Sequence, residues 1–127
     1  PEALVTQQAQ LDELAELAVA DRSAGLRWAE ERTREFRSGE QASVYAALEL
    51  WQSWWRDVLL VAAGVPESIT HIDRKPALEH AARRYDIAGV HVFIGRLANA
   101  ARQIRENVNP QLALEHLILH LPPTRGV

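Results

Sequence analysis

Two histidines, His116 and His120, stand four residues apart with Glu115 beside them, a spacing that puts both imidazoles on one helical face where they could share a metal ion. The string is E-H-L-I-L-H, however, so the glutamate is displaced from the H-E-x-x-H order that supplies two ligands and a general base. No third ligand is identifiable, because His71, His80 and His91 are scattered along the chain. The reading adopted is two ordinary histidines at the rim of an apolar helix, with no metal and no cofactor. A second candidate is Arg56-Asp57, which directly follows Trp51, Trp54 and Trp55. In a cleft such a pair could do chemistry. Beside tryptophans in a core helix it more often satisfies itself and a neighbouring helix end, since buried charges need partners. No nucleophile or second acid accompanies it in a recognisable spacing, so no catalytic residue is assigned. The tryptophans read first as core and second as a platform on which a ligand could stack. The G-x-x-x-x-G-K-[ST], G-x-G-x-x-G and G-x-S-x-G strings are absent, which removes the usual signatures of nucleotide hydrolysis and esterase chemistry.

The elements that would carry these residues are all helical. From Ser38 to Gly64 the apolar residues Val44, Leu48, Trp51, Trp55, Val58 and Ala62 step by 4, 3, 4, 3 and 4. Ala47, Trp54 and Val61 widen the apolar arc, as expected of a central helix covered on several sides. Ser38-Gly39-Glu40-Gln41 reads as a capping box at its start, and Gly64-Val65-Pro66 as its stop. Upstream, a helix from Pro1 to about Ala20 offers Leu4, Leu11, Leu14 and Leu17. A second, capped by Asp21, runs from Arg22 to Phe36 and buries Leu26, Ala29 and Phe36, with pairs such as Glu30–Arg34 on a solvated face. Gly25 weakens its first turn.

Downstream, Pro66 to Ile72 reads as an extended loop, and Asp73 as the cap of a short helix burying Leu78 and Ala82. Asp86 opens a long helix whose seam is Ile87, Val90, Ile94, Leu97, Ala101, Ile104 and Val108. Asn109-Pro110 starts a last helix, to about Leu121, that is apolar nearly all round. Leu114, Leu117, Ile118 and Leu121 form one stripe for the core. Leu112 and Leu119 point away from it, which marks them as a subunit interface. The tail to Val127 is expected to fray. The sum is an all-α fold, a single bundle of five to six helices.

The 127 residues suit one domain, 1–127, and their formal net charge of −3 carries no basic signature of a nucleic-acid binder. Without cysteine there is no disulfide framework, and a reduced cytoplasmic setting is permitted. No apolar run approaches the roughly 20 residues a membrane span needs. A start at Pro1 and the lack of any methionine read as a fragment of a longer subunit, cut at a domain boundary.

The run Leu50-Trp51-Gln52-Ser53-Trp54-Trp55-Arg56-Asp57-Val58-Leu59-Leu60 resembles the L-x-x-W-x-R-D-x-L-L helix of bacterial DNA polymerase III delta-prime subunits. Asn107-Val108-Asn109-Pro110-Gln111-Leu112-Ala113-Leu114-Glu115-His116-Leu117 is similar to the N-x-N-P-x-L-A-L-E-x-L ending of the same family. Ala24 to Glu31 looks like its A-L-x-x-A-E helix, and Ile72-Asp73 stands where an acidic cap precedes its short helix. The gamma/tau subunits end in related helices, and Asn107 with Asn109 tilts the resemblance to delta-prime. Trp51, Trp55, Arg56, Asp57, Asn107, Asn109 and Glu115 are the structural motif carried over. The adjacent Trp54-Trp55 and the glycine at 25 depart from the pattern.

What the resemblance implies is a non-catalytic collar domain. It would join gamma/tau and delta subunits in a hetero-pentameric clamp loader of DNA replication, with the AAA+ ATPase module lying elsewhere in the parent subunit. No DNA contact and no cofactor would belong to this part. A small helical ligand-binding or metal-binding protein is the alternative.

Overall fold

The helix that carries Trp51, Trp54 and Trp55 spans Gln41–Ala62 and runs through the centre of the molecule. In this computed structural model the backbone is described for residues 2–125 and the side chains for residues 5–125, so the expectations for Leu4 and for Gly126-Val127 lie outside the described residues. The order is α1 (Glu2–Leu17), α2 (Arg22–Arg37), α3 (Gln41–Ala62), two 3₁₀ turns at Pro66–Ser68 and Ile72–Arg74, α4 (Lys75–Arg84), α5 (Ile87–Arg105) and α6 (Pro110–Leu119). The fold is all-α, as the periodicity implies. Among the described residues the only extended pairing is an isolated antiparallel bridge between Tyr85 and Thr124. Among the described residues no helix is long and apolar enough to cross a membrane.

α3 packs against α5, α4, α2 and α1, while α6 lies across α2 and α5. The core is an aromatic column. The Trp51 ring sits 5.2 Å from both Trp28 and Phe93, and Trp55 sits 5.1 Å from Tyr85. The Trp51–Phe93 and Trp55–Tyr85 pairs are edge-on and the Trp28–Trp51 pair is tilted, and aromatic pairs of this kind add about 0.5–1.5 kcal/mol each beyond area burial. The column also corrects two helix faces. α2 buries Gly25, Trp28, Ala29 and Thr33 rather than Leu26 and Phe36, which are only partly covered. α5 buries Val90, Phe93, Leu97, Ala100 and Ile104, leaving Ile87, Ile94 and Ala101 at the margin and Val108 exposed. In each case the large ring, Trp28 or Phe93, turns its helix toward Trp51.

Three helices end in the same way. The left-handed residues Gly39 (φ 96°), Gly64 (φ 79°) and Asn107 (φ 68°) follow α2, α3 and α5. The next N–H in each case reaches back to the last turn: Glu40 to the Glu35 carbonyl, Val65 to Leu60 and Val108 to Gln103, all at 2.9 Å. This is the Schellman closure, for which glycine and asparagine are suited because neither is penalised strongly at positive φ. It overturns the capping box at Ser38. That residue is the C-cap of α2, its hydroxyl donates to the Glu35 carbonyl at 3.0 Å, and α3 starts at Gln41 with no side-chain cap.

Asp73 is likewise not a cap. It lies inside a 3₁₀ turn, and α4 begins after Arg74. The ion pairs expected on α2 centre on Arg32, which reaches Glu35 at 3.0 Å and Glu13 of α1 at 3.4 Å, rather than on Glu30–Arg34. The tail is docked as far as Arg125. Pro122 is buried, Asp86 N–H donates to the Pro123 carbonyl at 2.9 Å, and the Arg125 side chain donates to the carbonyls of Tyr85 and Ala82 at 3.1 and 3.0 Å. It closes the C-terminal end of α4, where free carbonyls need donors.

Candidate functional site

Successive residues on a helix do not face each other, and Arg56-Asp57 divides accordingly. Asp57 is buried, whereas Arg56 is exposed and forms no ion pair among the described residues. The two Asp57 oxygens accept the Thr70 N–H at 2.9 and 3.0 Å, and one of them accepts the His71 N–H at 2.7 Å. The carboxylate thus holds the segment between the two 3₁₀ turns, and the expectation that Arg56 and Asp57 satisfy one another is corrected.

Beside this anchor the Ser53 hydroxyl lies 2.8 Å from His71 Nε2. The same hydroxyl donates to the Leu50 carbonyl at 2.7 Å, so it accepts from the imidazole N–H. Asp57 is occupied by backbone amides. A serine, a histidine and an aspartate therefore meet without the proton relay that nucleophilic catalysis requires. Burial pushes the His71 imidazole below its ordinary value, against an upward pull from Asp57 and with a further push from Arg74. Arg74 ties the segment to α1 by an ion pair with Asp12 and by donating to the Gln8 carbonyl and side-chain oxygen at 3.0 and 2.8 Å. Asp57 is singled out by the sequence, but its partners Thr70 and His71 and the Ser53–His71 contact were not legible there, because these contacts bridge 13 to 18 residues with no fixed spacing.

The asparagine motif is a hinge between helices. Asn107 supplies the left-handed stop of α5, and the Asn109 side chain accepts the Gln111 N–H at 2.9 Å as the N-cap of α6. Glu115 accepts from Gln111 Nε2 one turn away at 3.2 Å. Trp51 and Trp55 are 0% and 1% exposed, so their faces meet other core rings and offer no stacking platform.

α6 separates its apolar residues into two sets. Ala113, Leu114, Leu117 and Ile118 are buried, whereas Leu112 and Leu119 are 62% and 48% exposed. His116 and His120 lie on the same outer side as these leucines, their ring centroids 4.1 Å apart. Arg96 of α5 approaches His116 Nε2 at 3.3 Å. A guanidinium can only donate, so this imidazole nitrogen is the acceptor of a neutral ring. Partial burial, His120 and Arg96 all push His116 below its ordinary value. His120 Nδ1 donates to the His116 carbonyl at 2.8 Å. Among the described residues no group of three or more His, Cys, Asp or Glu is placed to hold a metal, and Glu115 is turned to Gln111.

A family model described as DNA polymerase III, delta subunit, C terminal, matches residues 35–122. The chain belongs to this family. It is a clamp-loader domain of DNA replication. The matched stretch takes in the last turn of α2, the Asp57-held segment, the asparagine hinge and all of α3 to α6. No curated protein and no solved structure gives a significant match. Among the described residues Val5, Val19, Ile72, Val92 and Val108 are also exposed apolar side chains, while Leu112 and Leu119 share the outer face of α6.

Proposed function

We propose that residues 1–127 are the C-terminal collar domain of a delta-prime subunit. It joins gamma/tau and delta in a hetero-pentameric clamp loader through the face bearing Leu112 and Leu119. The observation that carries this reading is the exposure of both leucines on a helix whose remaining apolar residues are buried, in a family of polymerase subunits. Two leucines exposed on one helix face fit a surface that is covered in an assembly. The delta-prime assignment rests on the resemblance of the Leu50–Leu60 and Asn107–Leu117 runs, in which Asp57, Asn107 and Asn109 have the structural roles described above. On this reading the domain acts in the cytoplasm, catalyses nothing, takes no cofactor and makes no tight DNA contact of its own.

A second reading, the delta subunit itself, is favoured by the description of the matching family. The two are separated by reconstitution. The chain is added to a clamp loader lacking the collar domain of delta-prime, or of delta, and complex formation is followed by sedimentation. Rescue of the delta-prime omission supports the proposal. Rescue of the delta omission supports the second reading, and rescue of neither contradicts both.

A further inference from the structure

His116 is tied at both ends. Its carbonyl accepts from His120 Nδ1 at 2.8 Å, and its ring nitrogen Nε2 accepts from the half-buried Arg96 of α5 at 3.3 Å. The turn shaped by Asn107 and Asn109 joins α5 to α6, with Arg96 well before it and His116 well after it. Their contact therefore bridges the two helices away from the turn that connects them. The two ties answer a proton differently. His120 Nδ1 donates whether its ring is neutral or charged, so that bond survives protonation. His116 Nε2 loses its lone pair once it binds a proton. It then ceases to accept, and a cation faces a guanidinium that can only donate.

We propose that the Arg96–His116 contact is a proton-operated latch between α5 and α6, closed while the His116 ring is neutral and released when it is protonated. The charged or titratable groups that act on the ring are His120 of α6 and Arg96 of α5, and both disfavour its cation. Glu115, the neighbouring carboxylate on α6, accepts from Gln111 instead. From α2, the other helix packed against α6, no charged group bonds to the ring among the described residues. Desolvation, His120 and Arg96 together hold His116 below its ordinary value, so the folded chain takes up this proton at a lower pH than the unfolded one. The contribution of the latch is therefore present above the ordinary histidine value and is lost as pH falls toward the lowered one. A positive charge in the last turn of a helix is favoured by the helix dipole, so release parts the two side chains without melting α6.

The test is an NMR titration of the histidine rings and of the Arg96 Nε–H signal in the unaltered chain, His116→Gln and Arg96→Gln, each beside a thermal melt. A glutamine at 116 keeps an accepting oxygen at every pH, so that variant has a latch no proton can open. In the unaltered chain the Arg96 signal is expected to move with the midpoint of the His116 ring, and that midpoint to lie below the ordinary histidine value. In His116→Gln the Arg96 signal should stay still over the same range, and Arg96→Gln should shift the His116 midpoint upward. Should a variant fail to fold, the titration of the unaltered chain carries the test. An Arg96 signal indifferent to the titration of His116, or a His116 midpoint at or above the ordinary value, would overturn the latch. So would a midpoint that Arg96→Gln leaves where it was.

Discussion

Asp57 and His71 are 14 residues apart in the chain, and the buried carboxylate of one receives the backbone N–H of the other at 2.7 Å. With the Thr70 amide this contact fixes the segment after α3 to the centre of the bundle. The acidic half of the Arg-Asp motif thus has a structural task, and Arg56 is left on the surface.

Asp57→Ala removes the acceptor for two backbone amides in a partly buried setting. Hydrogen bonds to a charged group contribute about 1.5–3 kcal/mol each, so a loss of roughly 3 kcal/mol is expected. Denaturant melts give the magnitude. Hydrogen exchange should speed up most at Thr70 and His71, and unchanged protection there would contradict the anchoring role.

The strap also has a pH dependence. His71 is held below its ordinary value by burial, so the unfolded chain takes up this proton at a higher pH than the folded one does. The unfolded state then binds more protons in that window, and stability falls as pH drops below the ordinary histidine value toward the lowered one. Between about pH 7.5 and pH 5.5 the unaltered protein should lose more stability than His71→Gln. Equal losses would show that another group sets the dependence.

Gly25→Ala should destabilise the fold, although alanine is the better helix former by about 1 kcal/mol. A Cβ at this position would lie 2.6 Å from Ile118 Cγ2, where α2 and α6 meet. Overpacking of this kind costs about 1–3 kcal/mol. Ile118→Ala deletes that methyl, so the two substitutions together should cost less than their sum. Strict additivity in thermal melts would mean that the helices do not meet at this point.

Asn107 occupies a left-handed conformation at φ 68°. Asn107→Gly should leave stability within a few tenths of a kcal/mol, whereas Asn107→Val should cost roughly 1–2 kcal/mol because its Cβ crowds the following carbonyl. Equal melting temperatures for the two variants would argue against the left-handed stop.

Local signals were legible in the sequence where one residue acts on its own backbone. Asp21, Asp86 and Asn109 cap the helices they precede, accepting the N–H groups of Ala24, Gly89 and Gln111, and Gly64 ends α3. Tertiary choices were not legible. The faces of α2 and α5 are set by where Trp28 and Phe93 meet Trp51, which no single-helix pattern encodes. At Ser38 two local rules compete, and the left-handed Gly39 decides for a helix end. Gly25, a weak point by propensity, is a point of close approach in the fold. The exposure of Leu112 and Leu119 was readable because α6 carries more apolar residues than one core face can cover. The approach of Arg96 to His116 beside them was not, since the two meet across two helices.

The central claim is that the outer face of α6 joins this domain to other clamp-loader subunits. Leu112→Glu with Leu119→Glu tests it most directly, by sedimentation with the partner subunits beside a thermal melt of the isolated chain. Each leucine, if covered in the assembly, contributes roughly 1.5–3 kcal/mol of burial that the glutamates forfeit. The account predicts a variant that melts like the unaltered domain and sediments apart from its partners. A variant that folds and still enters the complex normally would contradict it.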